Sequence, residues 1–82
     1  MSVKVPEDAI VEMVREEIGK YASGTFTDND DLVRDVGLIG DDLTAAALNV
    51  EKRLGVRVDR SRYKSVHTVN ELAHVFNEAR SG

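Results

Sequence analysis

Five serines, two histidines and a string of aspartates are the groups of this 82-residue chain whose chemistry deserves testing first. A serine nucleophile needs a base within reach of its hydroxyl and a strained turn to present it. Ser2, Ser23, Ser61, Ser65 and Ser81 lie in no such elbow and beside no obvious base. His67 and His74 are seven residues apart, the same helix face two turns away, too far to share one metal ion. They are read as exposed or capping residues, with His67 ahead of the last helix. Asp28-Asn29-Asp30-Asp31 begins like a calcium loop, but Val33 stands where the sixth-position glycine belongs and Ile39 where the closing glutamate belongs. A turn with a helix cap fits that run better. Gly37-Leu38-Ile39-Gly40 lacks the lysine and the length of a phosphate loop. Asp41 and Asp42 remain. They are helix caps on one reading, since aspartate accepts backbone N–H groups, and a fixed carboxylate pair for recognition on the other. No catalytic constellation emerges, so the chain is expected to be neither an enzyme nor a metal protein.

Such groups must be held by a small fold. Eighty-two residues make one domain, spanning 1–82. A chain of this size buries only about 60 to 65% of its unfolded surface, so the core is thin. Without cysteine, no disulfide or thiolate-bound metal can reinforce it. No apolar run is long enough to span a bilayer, and Met1 to Pro6 shows no secretory pattern; a cytoplasmic, monomeric protein without stable membrane insertion is expected.

The net charge of −4 conceals a polarity. Residues 1–50 carry four Lys/Arg against eleven Asp/Glu, whereas residues 51–82 carry seven against four. Lys52, Arg53, Arg57, Arg60, Arg62 and Lys64 form a basic cluster. It is either a solvated face near a helix end or a surface for an acidic partner, phosphates or lipid head groups. Nucleic acid is not expected, because Tyr63 is the one aromatic among these charges and the chain is acidic.

Periodicity predicts an all-α protein. A first helix runs over Pro6 to Tyr21, with Pro6 at its first position and Ile10, Val14 and Ile18 as its stripe, widened by Val11. Glu12, Arg15, Glu16 and Lys20 face water. A long loop follows from Ala22 to Arg34, pinned by Phe26, Leu32 and Val33. A second helix starts near Asp41, capped by Asp41 or Asp42, and ends at Leu54 before a left-handed Gly55. Its core stripe is Leu43, Ala46, Ala47, Val50 and Leu54, leaving Ala45, Asn49, Lys52 and Arg53 exposed. Val56 and Val58 turn inward on an extended piece, and Asp59 to Lys64 forms a short helical turn. Thr68 and Glu71 open the last helix as a capping box, and Leu72, Val75, Phe76 and Ala79 are its buried face.

Asp35-Val36-Gly37-Leu38-Ile39-Gly40-Asp41-Asp42-Leu43, continuing to Arg53-Leu54-Gly55-Val56-Arg57-Val58, resembles the attachment segment of the acyl and peptidyl carrier proteins. In that family the pattern is Asp-Leu-Gly-x-Asp-Ser-Leu, a helix, an aromatic or Leu, Gly and an apolar-x-apolar tail. Asp30 to Asp35 is similar to the family's run into the motif. Val66-His67-Thr68-Val69-Asn70-Glu71-Leu72 is similar to the segment before its last helix. The resemblance covers nearly the whole chain. It implies an acyl-carrier-like four-helix bundle, right-handed, with a long first loop and a short third helix.

The departures bear on function. Without gaps, Ile39 stands where the motif has Asp, Gly40 at the serine and Asp41 at the Leu. Sliding the motif two residues puts Asp42 at the serine and costs an insertion. Neither register offers a hydroxyl for the phosphopantetheine that the family carries, so no cofactor is expected. In the family the second helix is acidic and apolar, and partner enzymes read it with Arg and Lys. Here it begins acidic and turns through Ala45 and Asn49 to Lys52 and Arg53. The resemblance therefore implies a non-catalytic interaction partner in acyl metabolism, fatty-acid, polyketide or related. It would meet acyl-metabolic or carrier-recognising proteins through Ile39, Asp41, Asp42, Ala45, Asn49, Lys52 and Arg53. The alternative is a divergent genuine carrier, modified at another serine or binding acyl groups non-covalently.

Overall fold

Three apolar stripes at helical spacing need one another, because each helix buries one face and none is long enough to stand alone. The computed structural model describes residues 7–22 and 24–81. Its elements are α1 (Glu7–Gly19), α2 (Gly40–Leu54), a 3-10 helix (Arg60–Ser65) and α3 (Val69–Ser81). The protein is all-helical, with no strand among the described residues. Helix α1 packs on both α2 and α3, and the 3-10 helix packs on α2. Pro6, expected to open the first helix, lies outside the described residues.

The core is where the stripes converge. Ile10, Val14, Ile18, Ala46, Ala47, Val50, Leu72 and Phe76 are fully buried. Phe76 lies against Tyr63 with ring centroids 6.1 Å apart and planes tilted by 50°, within the range of favourable aromatic contacts. Tyr63 and Val66 are both buried, and the three-residue period of a 3-10 turn puts them on one face. Leu32 and Leu38 clip the long loop to the core. The Leu32 amide donates to the His67 carbonyl at 2.7 Å, and the Leu38 amide donates to the Leu32 carbonyl at 2.9 Å.

Local end signals act as their chemistry dictates. Gly55 adopts φ 70° and its N–H closes on the Glu51 carbonyl, a conformation that costs any other residue about 1 kcal/mol or more. The Thr68 hydroxyl accepts from the Glu71 N–H, while Glu71 Oε1 accepts from the Thr68 and His67 amides, completing the capping box. Asp59 caps the 3-10 helix by accepting from the Ser61 N–H. Val56 and Val58 are half-buried against the core, as their alternation predicts.

Four expectations are corrected. The first helix ends at Gly19, short of Tyr21; the Lys20 and Tyr21 amides close tight three-residue turns onto Glu17 and Ile18 instead. Helix α2 begins at Gly40 with Ile39 in the capping position, so neither Asp41 nor Asp42 is the cap. Both lie inside the first turn, where their charge opposes the positive helix end without closing a capping bond. Val33 does not pin the loop; it is 51% exposed, because the Asp31 carboxylate accepts from the Val33 and Arg34 amides and turns the chain outward there. Ala45 and Asn49 are half-buried rather than exposed, for reasons that belong to the site.

Candidate functional site

The mouth of α2 is built by three segments: the loop held by Leu32 and Leu38, the first turns of α2, and the 3-10 helix that packs across them. Gly40 is the first helical residue and is exposed. A methyl group added there would meet no heavy atom within 4 Å, and its φ is not positive. Neither packing nor backbone geometry therefore demands glycine at 40, and a side chain would project into open space. Asp41 is exposed and Asp42 half-buried in the same turn, and Ile39 before them is 60% exposed.

The residues expected to form one partner face divide between two sides of α2. Asp41 and Ala45 line a surface groove of about 580 Å³ between α2 and the 3-10 helix, together with Val33, Leu43, Leu48 and Tyr63. Lying in that groove is what half-buries Ala45. Lys52 continues the same side and lines a second depression at the C-terminal end of α2, with Leu48, Val56 and Arg57. The other side faces α1. Asn49 lies beside the Glu17 carboxylate there and helps to lower its pKa. Arg53 donates to Glu17 Oε2 at 3.2 Å and Glu16 Oε1 at 3.1 Å, so its charge is used within the molecule.

Glu17 is the buried charge at this seam, 3% exposed. Its Oε1 accepts from the Lys20 ammonium at 2.9 Å. That bond, ahead of the Arg53 and Asn49 contacts, holds the carboxyl below the usual glutamate value of 4.5, against the desolvation that pushes it up. A carboxyl whose pKa is depressed by folding contributes stability above its unfolded pKa and loses it as pH falls through the folded one. Asp31, held down chiefly by the Arg34 amide, and Asp59, by the Ser61 amide, act in the same direction. The denaturation midpoint is expected to fall as pH is lowered from 6 towards 3. Glu17→Gln should flatten part of that slope; chemical denaturation at several pH values checks it, and an unchanged slope would remove Glu17 from the account.

Tyr63 and Glu51 tie the 3-10 helix to α2. The Tyr63 hydroxyl donates to Glu51 Oε2, and Glu51 Oε1 accepts from the Val58 amide at 3.3 Å. Burial first, and Glu51 second, raise the Tyr63 hydroxyl well above its ordinary pKa, so it stays a donor at any working pH.

Other candidate groups stay apart. The Ser61 hydroxyl donates to Asp59, whose carboxylate also caps the 3-10 helix, and that of Ser65 to the Arg62 carbonyl; both residues are exposed, and among the described residues neither hydroxyl meets a histidine or lysine. Ser2, Ser23 and the Ser81 side chain lie outside the described residues. His67 Nδ1 lies 3.9 Å from Asp31 and His74 Nε2 3.3 Å from Glu78, both on the surface. Asp28 pairs with Arg15 at 2.6 Å and Asp30 accepts from the Thr27 amide, as a turn requires. No group of three potential metal ligands occurs among the described residues. Nor is any helix there long and apolar enough to cross a membrane.

Sequence reasoning passed over three parts of this site. Glu17 lies seven residues after Ile10 and three after Val14, on the buried stripe, and that spacing was the available signal. Leu38 carried none beyond its type. Leu48 falls off the α2 core stripe, and only the 3-10 helix alongside makes it a groove residue. In comparisons with known proteins, no family model matches the chain, no curated protein matches it and no solved structure matches it.

Proposed function

We propose that this chain is an acyl-carrier-like interaction module that bears no prosthetic arm and works beside acyl-metabolic or carrier-recognising proteins. Its working surface is the first turns of α2, the loop before them and the side of α2 next to the 3-10 helix. The observation that carries this is at Gly40. The ungapped motif puts the attachment serine there, the residue is exposed at the start of a helix, and it has no oxygen to offer. Asp41 and Asp42 occupy the same turn, so two carboxylates stand where a carrier would display a phosphodiester. The order of a long first loop, a capped α2, a short 3-10 helix and a boxed last helix is compatible with the carrier arrangement.

Intact mass tests this directly. After coexpression with a broad-specificity phosphopantetheinyl transferase, the purified protein should keep its unmodified mass. An adduct on any residue overturns the proposal, and peptide mapping then assigns a divergent genuine carrier. A second reading, non-covalent acyl binding, draws on the apolar floor of the groove at Leu43, Leu48 and Tyr63. It requires a melting temperature that rises with acyl chain length on adding free fatty acids.

A further inference from the structure

The side of α2 turned away from α1 carries two depressions that meet at Leu48, which lines both. The floor is apolar: Leu43, Ala45 and Leu48 in the first, Leu48 and Val56 in the second. Val33, 51% exposed, stands at the edge of the first. The rim is cationic. Arg60 and Lys64 border the first depression, Lys52 and Arg57 the second. All four are exposed, and among the described residues none of their side chains has a hydrogen-bond or ion-pair partner. Arg53 and Arg62, from the same stretch of chain, are by contrast tied to Glu16, Glu17 and Glu78. The basic cluster is thus sorted by the fold into charges spent on internal pairs and four left beside the apolar track. Two carboxylates share the lining. Asp41 marks one end, and Glu51 is engaged by Tyr63 and the Val58 amide.

We propose that this double groove docks an acidic amphipathic segment of a partner protein, with apolar side chains in the two depressions and carboxylates facing Lys52, Arg57, Arg60 and Lys64. The inference rests on the interaction-module reading and names the chemistry of its partner. Charge complementarity selects the occupant, because four unpartnered cations flank the track on a chain whose net charge is −4. A short segment feels chiefly the charges within a Debye length, about 8 Å at physiological salt. An anionic bilayer presents a flat surface, which leaves a concave floor unfilled. A groove with an apolar base and charged rim is the geometry by which amphipathic helices are recognised.

The test titrates the full-length, 15N-labelled protein with a synthetic peptide rich in glutamate and bearing leucines at helical spacing. Saturable binding is expected, with amide shifts confined to residue 33 and to residues 40–48 and 51–67. Raising salt should weaken it. So should the double variant Arg60→Glu, Lys64→Glu, by about tenfold or more, with circular dichroism showing the fold retained. The same peptide with lysine for glutamate should not bind. The proposal is overturned if binding is absent up to millimolar peptide, if both peptides bind alike, or if the shifts fall on another face. It is equally overturned if laurate or phosphatidylglycerol vesicles, and not the peptide, perturb the groove. Failure here with an unmodified intact mass removes only the acidic partner, whereas a pantetheine adduct removes the armless reading itself.

Discussion

Phe76→Ala is expected to lower the melting temperature of this protein by about 15 °C or more. The Phe76 side chain is fully buried, on α3, and touches the Tyr63 ring of the 3-10 helix. Truncating a buried phenylalanine costs about 3 to 5 kcal/mol, part transfer and part cavity. The ring contact with Tyr63 adds about 0.5 to 1.5 kcal/mol to the interactions lost. An 82-residue domain at 0.05 to 0.15 kcal/mol per residue has about 4 to 12 kcal/mol in total. The loss is therefore more than a quarter of the stability, and nearly all of it if the protein sits at the lower end. Each kcal/mol moves the melting temperature of a domain this size by about 4 to 8 °C. A thermal scan should show a midpoint lowered by about 15 to 30 °C, or no cooperative transition. A shift under 5 °C would mean that Phe76 and its contact with Tyr63 are not at the centre of the core.

Leu32→Ala should be nearly as damaging, with a different signature. Leu32 is fully buried although it belongs to no helix, and its amide is anchored on the His67 carbonyl just before α3. Removing the side chain costs about 2 to 5 kcal/mol. The loss concentrates in the segment from Asp31 to Leu38, because Leu38 hangs from the Leu32 carbonyl and the other hydrogen bonds of Asp31 to Val36 close within the loop itself. Amide exchange across it should accelerate more than exchange in α1. The adjacent Val33→Ala should change stability by about 0.5 kcal/mol or less, since Val33 faces solvent at the groove edge. Denaturation and hydrogen exchange on the two variants give a direct comparison. Equal effects would place Val33 in the core after all. For function the pair separates support from surface: Leu32 holds the loop that frames the mouth of α2, and Val33 presents a contact.

Much of the fold was legible before any tertiary information. Ile10, Val14 and Ile18 on α1, and Leu72, Val75 and Phe76 on α3, are buried as their spacing requires. The turn-forming residues after α1 and the charged stretch from Asp59 to Lys64 pointed to a long loop and a short helical turn, and a 3-10 helix over Arg60–Ser65 takes the second place. The candidate site was less legible. Asp41 and Asp42 were read as caps because aspartate favours that role. The helix instead starts earlier, at Gly40, because Ile39 already holds an extended conformation with its carbonyl accepting from the Leu43 amide. Asn49 looks like a surface residue in sequence yet is half-buried beside Glu17, and Arg53, exposed as its position implies, reaches Glu17 across the α1–α2 seam.

What the order of residues settled alone was short-range: which stretches coil, where Gly55 stops α2, and how Thr68 and Glu71 start α3. These depend on groups within four residues of each other, whose geometry a helical turn dictates. What folding alone settled was the allocation of charge and apolar surface. Arg53 reaches Glu17 across 36 positions of chain, and Tyr63 reaches Glu51 across 12. Such pairs sort one run of basic residues into those consumed internally and those left beside a groove. No periodicity encodes that sorting, because it depends on which helix faces lie opposite one another once the core has closed.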